Sequence, residues 1–193
     1  MSKDLVAIHV GSGDSMATFY SSKTYLCGVS KIFHNALMGS FREAAEGVLC
    51  LPDDDTVSFR HIFQILKSGS PSPHRTVSKG QRCEMMTDIY LEELAMAWFF
   101  ADKYDFAFCQ RMIMLEFTLA VQEQSLVKLS LMELIYEHTL PMSPLRFAVL
   151  RNVHSRLEGK VNVWDDFSVL HTFDGFFKEL YLTGTRYGAT WEE

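Results

Sequence analysis

Ser30-Lys-Ile-Phe-His-Asn-Ala-Leu-Met-Gly-Ser-Phe-Arg-Glu-Ala44 is followed by Val48-Leu-Cys-Leu-Pro-Asp-Asp-Asp55 and then by Phe59-Arg-His-Ile-Phe-Gln-Ile-Leu66. Ser30 can accept from the open N–H groups of a helix start, and Gly39 suits the stop. Between them Ile32, Phe33, Ala36 and Leu37 recur at helical spacing. After an acidic turn, Val48–Leu51 is short, apolar and ended by Pro52, which reads as a buried strand. Asp53 to Asp55 place carboxylates where a following helix needs acceptors and favours negative charge. Phe59, Ile62, Phe63 and Leu66 then follow at i, i+3, i+4, i+7. The order is helix, turn, strand, capped helix.

Upstream, Leu5-Val-Ala-Ile-His-Val10 and Met16-Ala-Thr-Phe-Tyr20 flank Gly11-Ser-Gly-Asp-Ser15, the pattern of a β-hairpin. Downstream, Ser68 to Gly80 is the one loop-like low-complexity stretch and reads as a surface insertion. Tyr90, Leu94, Ala97, Ala101 and Tyr104 form one helix face, and Met96, Trp98, Phe99 and Phe100 cover the rest. A helix apolar on all sides is expected to be enclosed by protein. Another helix is expected from about Phe106 to Val121. A helical hairpin comes next, with Ser125 capping Leu126 to Tyr136, a break at Pro141 and a restart at Ser143-Pro144. Leu145, Val149, Val153 and Leu157 make the stripe of its second arm. Asn162 to Glu193 is rich in aromatics (Trp164, Phe167, Phe173, Phe176, Phe177 and Tyr181) and is expected to dock as one more helix.

The 193 residues suit one domain, or a domain with a helical extension. A net charge of -6 argues against a nucleic-acid binder, which carries a basic stripe. No apolar run reaches the length of a membrane span, and the start lacks the basic and apolar blocks of a signal peptide. Cys27, Cys50, Cys83 and Cys109 lie far apart, three of them in apolar patterns where thiols act as small hydrophobes. A reducing compartment, cytoplasm or nucleus, is expected.

Candidate chemistry is thin. Gly11-Ser-Gly-Asp-Ser15 lacks the helix start that a phosphate loop needs. His9, His34, His61, His74, His138, His154 and His171 show no metal-ligand spacing, and Asp53 to Asp55 lack the closing glutamate of a calcium loop. No catalytic residue, cofactor site or metal site is read from the sequence. Ser70-Pro71 and Ser72-Pro73 are open to phosphorylation, with plain loop serines as the default. Asp102, Lys103, Asp105 and Arg111 read as intramolecular ion pairs.

The ordered set Asp4-Leu-Val6, Phe19-Tyr-Ser-Ser-Lys23, Ser30-Lys-Ile-Phe33, Phe41-Arg-Glu43, Val48-Leu-Cys-Leu-Pro52 and Ala101-Asp-Lys-Tyr104 resembles the BTB/POZ family, in particular its fungal members. Ser22 departs from the family's usual histidine, which puts a core hydrogen bond in doubt. The resemblance covers about residues 4–121. Ile135-Tyr-Glu-His-Thr139 and Ser143-Pro-Leu-Arg146 also look like the helical segment that follows the domain in fungal members. It implies an α+β fold, a small mixed sheet flanked by a cluster of helices, with residues 122–193 a C-terminal helical extension packed on it.

The resemblance implies a non-catalytic protein-interaction module that binds a protein partner, self-associates, or adapts a cullin in a ubiquitin ligase. In adaptors a hydrophobic-x-Glu motif touches the scaffold, and Phe41 and Glu43 are the matching, partner-binding positions. The default alternative packs Phe41 in the core and leaves Glu43 a solvated charge. Only Met1-Ser-Lys3 precedes Asp4, so the strand-exchanged dimer of longer family members is not expected. An enzyme with a site hidden between helices is the reading from another class, and a deep polar pocket with coupled titratable groups is its discriminator.

Overall fold

In the computed structural model, which describes residues 4–69, 84–124, 127–157, 173 and 175–186, β1 (Leu5–Val10) buries Val6, Ile8 and Val10. Successive strand side chains point to opposite faces, so one side of β1 is core. β2 (Ala17–Ser22) runs antiparallel to β1, with Leu5 opposite Ser22 and Val10 opposite Ala17. Gly11, at φ +80°, opens the connecting turn and supplies the left-handed backbone that a side chain resists. β3 (Val48–Leu51) lies parallel to β1 on its other edge, giving a mixed sheet of order β2-β1-β3. With nine helices among the described residues, the fold is α+β.

β3 is only half a buried strand. Leu49 and Leu51 face the core, whereas Cys50 is exposed, because an edge strand covered on one face alternates inward and outward. Of the described cysteines only Cys109 is fully buried.

Two short helices were not evident in the sequence. α1 (Lys23–Val29) follows β2 directly, and Ser22 Oγ caps it by accepting from Tyr25 N–H. Asp4 holds this junction: its carboxylate accepts from Ser22 Oγ at 2.6 Å, Thr24 N–H at 2.9 Å and Thr24 Oγ1 at 2.8 Å. Those bonds keep the Asp4 carboxyl below its ordinary range, Ser22 acting most strongly. Ser22 thus ties Asp4 to the start of α1 through one hydroxyl, which donates to the carboxylate and accepts from Tyr25 N–H. α3 (Arg42–Glu46) replaces the expected acidic turn and ends at Gly47, whose φ of +66° gives the left-handed stop.

The other caps follow the sequence pattern. α2 (Lys31–Met38) starts at Ser30, whose Oγ accepts from Phe33 N–H at 3.0 Å and donates to Tyr104 C=O at 2.6 Å. α4 (Thr56–Ser68) starts at Asp55, which accepts from Val57 and Ser58 N–H. It buries Phe59, Ile62 and Ile65. α5 (Glu84–Lys103) ends where Asp105 takes a φ of +53° and Phe106 N–H bonds Ala101 C=O, a six-residue closing loop. α6 (Ala107–Glu123) follows. The Ser68 to Gly80 stretch, beyond Gly69, with Ser70 and Ser72, lies outside the described residues.

The described chain gathers into two compact units, one within Met1–Thr76 and Met96–Ile113, the other within Val77–Ala95 and Met114–Glu193. The division runs through both α5 and α6. The boundary expected near residue 122 lies beside the end of α6. The core of the first unit is aromatic: Phe59 meets Phe19 at 4.7 Å and Phe100 at 5.5 Å, and Phe33 meets Tyr104 at 5.3 Å and Phe106 at 5.1 Å.

In the second unit, α7 (Leu129–His138) begins three residues later than expected, at a Lys128 that gives no side-chain cap. Ser125 and Leu126 lie outside the described residues. α8 (Pro144–Leu157) starts as the Ser143-Pro144 pair requires, with Ser143 Oγ accepting from Arg146 N–H. It buries Leu145, Ala148, Val149, Leu150, Asn152, Val153 and His154, well beyond a single stripe. Asn152 binds Val121 C=O and Val127 N–H from one amide, tying α8 to the chain on either side of the α6–α7 link. α9 (Phe176–Arg186) packs on α8 and buries Phe176, while Phe177 and Tyr181 are exposed. Trp164 and Phe167 lie outside the described residues.

Ser30→Ala removes both a helix cap and the bond to Tyr104. Urea unfolding is expected to show a loss of about 1–3 kcal/mol, with Ser30→Thr recovering much of it. An unchanged midpoint for Ser30→Ala contradicts this role.

Candidate partner-binding surface

The link between α2 and α3 carries the residues that the sequence singled out. Phe41 is 61% exposed and Met38, at the end of α2, is 60% exposed. This overturns the expectation that Phe41 packs in the core. Glu43 is half-buried in the first turn of α3, where a carboxylate complements the helix dipole. It makes no ion pair or side-chain hydrogen bond among the described residues.

The outward position of Phe41 is built into the backbone. A Cβ on Gly39 would lie 2.6 Å from Asn35 C=O and 3.0 Å from the Phe41 ring. Only glycine lets the ring lie against the chain there. Phe41 C=O then accepts from Ala44 N–H, Glu43 C=O accepts from Gly47 N–H, and Gly47 C=O accepts from Ala7 N–H in β1. The segment is thereby fixed at one end to the sheet and at the other to α2, whose Phe33 sits in the aromatic core. The exposed Arg42–Glu46 pair at 3.5 Å adds little rigidity.

Several polar groups elsewhere are engaged in structural ties, whereas the buried Ser58 Oγ has no hydrogen-bond partner among the described residues. Asp54 accepts from Lys103 Nζ at 2.9 Å and Tyr104 Oη at 2.6 Å. Burial, then the hydrogen bond to Asp54, pushes the Tyr104 phenol up to about 12. The Asp54 hydrogen bond also raises Lys103. Lys103 thus forms an expected ion pair, whereas Asp102 takes the Gln110 amide at 2.9 Å instead of a cation. Burial pushes the Cys109 thiol up to about 12, which keeps it a small hydrophobe.

The second unit holds a polar cluster that the sequence did not reveal. Arg146 and Glu179 are 5% and 3% exposed, with Arg146 Nη1 3.5 Å from Glu179 Oε1. The guanidinium lies over the Tyr136 ring at 4.1 Å, bonds Thr139 Oγ1 at 3.0 Å and reaches the Tyr136 and Thr139 carbonyls. Glu179 accepts from Tyr136 Oη at 3.0 Å and Met142 N–H at 2.8 Å. Burial, and then Glu179, hold the Tyr136 phenol far above its ordinary value. The cluster joins α7, α8 and α9. Thirty-three residues separate Arg146 from Glu179, so no local spacing could have signalled the pair.

The histidines are scattered. His9 bonds Thr18, His138 bonds Leu134 C=O, His34 is exposed and His154 is buried. His74 and His171 lie outside the described residues. Among the described residues no group of three or more His, Cys, Asp or Glu could hold a metal ion, and no helix is long and apolar enough to cross a membrane. No family model matches the chain, and no curated protein matches it.

The raised Tyr104 phenol fixes the sign of an alkaline effect. Between pH 10 and 12 the unfolded tyrosine loses its proton while the folded one keeps it, so stability is full below pH 10 and falls through that window. Unfolding curves from pH 9 to 12 are expected to show this fall, with Tyr104→Phe flattening it. An equal slope in that variant contradicts the assignment.

Proposed function

We propose that the chain is a non-catalytic protein–protein interaction module of the BTB/POZ type, working inside the cell. The observation that carries the reading is Phe41, a large aromatic held outward at a position where burial would ordinarily be favoured. Exposed apolar residues on a fixed backbone suit partner recognition, since little conformational freedom is lost on binding. Aromatic anchors also supply a disproportionate share of interface energy. The order of β1, β2, α2, β3 and α4 supports the family assignment, as do the Ser30 and Asp55 caps at the quoted motifs.

A cullin scaffold is the more specific reading of the partner, favoured by the exposure of Phe41 two residues before an uncommitted Glu43. A partner with an apolar recess for Phe41 and Met38 and a cation opposite Glu43 would match this surface. The acid–base groups around Arg146 and Asp54 take part in structural bonds, which favours the binding module over an enzyme.

The test is quantitative affinity purification from native cells with the unaltered chain, Phe41→Ala and Glu43→Ala. Loss of one partner set by about tenfold or more in Phe41→Ala, with a smaller loss in Glu43→Ala, is expected. A cullin in that set supports the adaptor reading. Identical partner sets for all three chains contradict the proposed surface.

A further inference from the structure

α6 is apolar on two faces. Cys109, Ile113, Phe117, Ala120 and Val121 form its buried face. On the opposite side Phe108 is 46% exposed, Leu115 58% and Leu119 47%, with Met112 half-buried among them. These four are spaced 4, 3 and 4 residues apart along one unbroken helix, so they share one narrow stripe about 16 Å long. That spacing is the alternation of the two core positions in a coiled coil. Large side chains at consecutive core positions on an exposed face are uncommon on a soluble surface.

The flanking charges identify the occupant. Arg111 and Glu116 lie on opposite sides of the stripe, five residues apart. In a parallel pair of identical helices, the residue before one core position faces the residue five places later on the other chain. Arg111 of each copy would then meet Glu116 of the other, twice across a two-fold axis. An antiparallel pair places like flanks together, Arg111 against Arg111 or Glu116 against Glu116. Arg111 is exposed and has no ion pair among the described residues, and Glu116 takes only the Tyr90 hydroxyl at 3.2 Å.

We infer that α6 is a self-association surface, pairing in parallel with α6 of a second copy through Phe108, Met112, Leu115 and Leu119 and the crossed Arg111–Glu116 pairs. The stripe is short, so the dimer is weak and concentration-dependent. It does not involve Phe41 or an exchanged N-terminal strand, and it stands or falls independently of the proposed partner surface.

Sedimentation velocity on the full chain over ~5 to ~500 μM tests it, spanning the micromolar range expected of a small interface. The expected result is a reversible monomer–dimer equilibrium that Leu115→Glu abolishes. Arg111→Glu and Glu116→Arg should each weaken it about tenfold, and the double reversal should restore it. Tyr90→Phe, which removes the other bond to Glu116, and Phe41→Ala should leave it unchanged. Circular dichroism establishes that each variant is folded, and Leu115→Gln replaces Leu115→Glu if that chain is not. A monomer throughout the range, a dimer indifferent to position 115, or single reversals that the double does not rescue overturns the inference.

Discussion

Tyr104 is the point at which the first unit is tied together. Its carbonyl takes the Ser30 hydroxyl, its phenol donates to Asp54, and its ring lies against Phe33 and Phe100. One residue at the end of α5 thus fixes the start of α2 and the turn that precedes α4. Each bond answers a local need. Ser30 is the α2 cap, Asp54 neighbours the α4 cap, and the phenol is a half-buried polar group that would be costly to leave unpaired. The Asp105 turn just beyond it brings Phe106 back onto Phe33.

That hub bears on the proposed function through α2. With Ser30 and Phe33 held, the far end of α2 is fixed, and Gly39 and Gly47 then leave α3 one course back to the sheet. Phe41 is therefore presented by constraint. The second unit relies on a different device. Arg146 and Glu179 are charged groups enclosed by α7, α8 and α9, and removing either would leave the other buried without its counter-charge.

Much of this was legible locally. Ser30, Asp55, Gly39 and Pro144 each act within one helical turn, so sequence spacing alone located α2, α4 and α8. The β1–β2 hairpin followed from alternation around a glycine-rich turn. α1 was hidden because Lys23–Val29 contains Thr24, Tyr25, Gly28 and Val29, poor helix formers stabilised by the Asp4 carboxylate from eighteen or more residues away. α3 is only five residues long, too short to show a period. The exposure of Cys50 depends on the sheet being covered on one face only at β3, and the exposure of Phe41 depends on Gly39. Neither is a property of spacing. The outer stripe of α6 was masked by its inner one, since a helix apolar on both faces loses its sequence signature.

The central claim is that binding takes place at the α2–α3 link. Hydrogen exchange along the chain, measured with and without the purified partner that Phe41→Ala fails to retain from native cells, tests it most directly. Slowed exchange confined to the amides around Met38 to Glu46 is expected. Slowed exchange at the free edge of β2 with none at Met38 to Glu46, or no change anywhere at saturating partner, would contradict it.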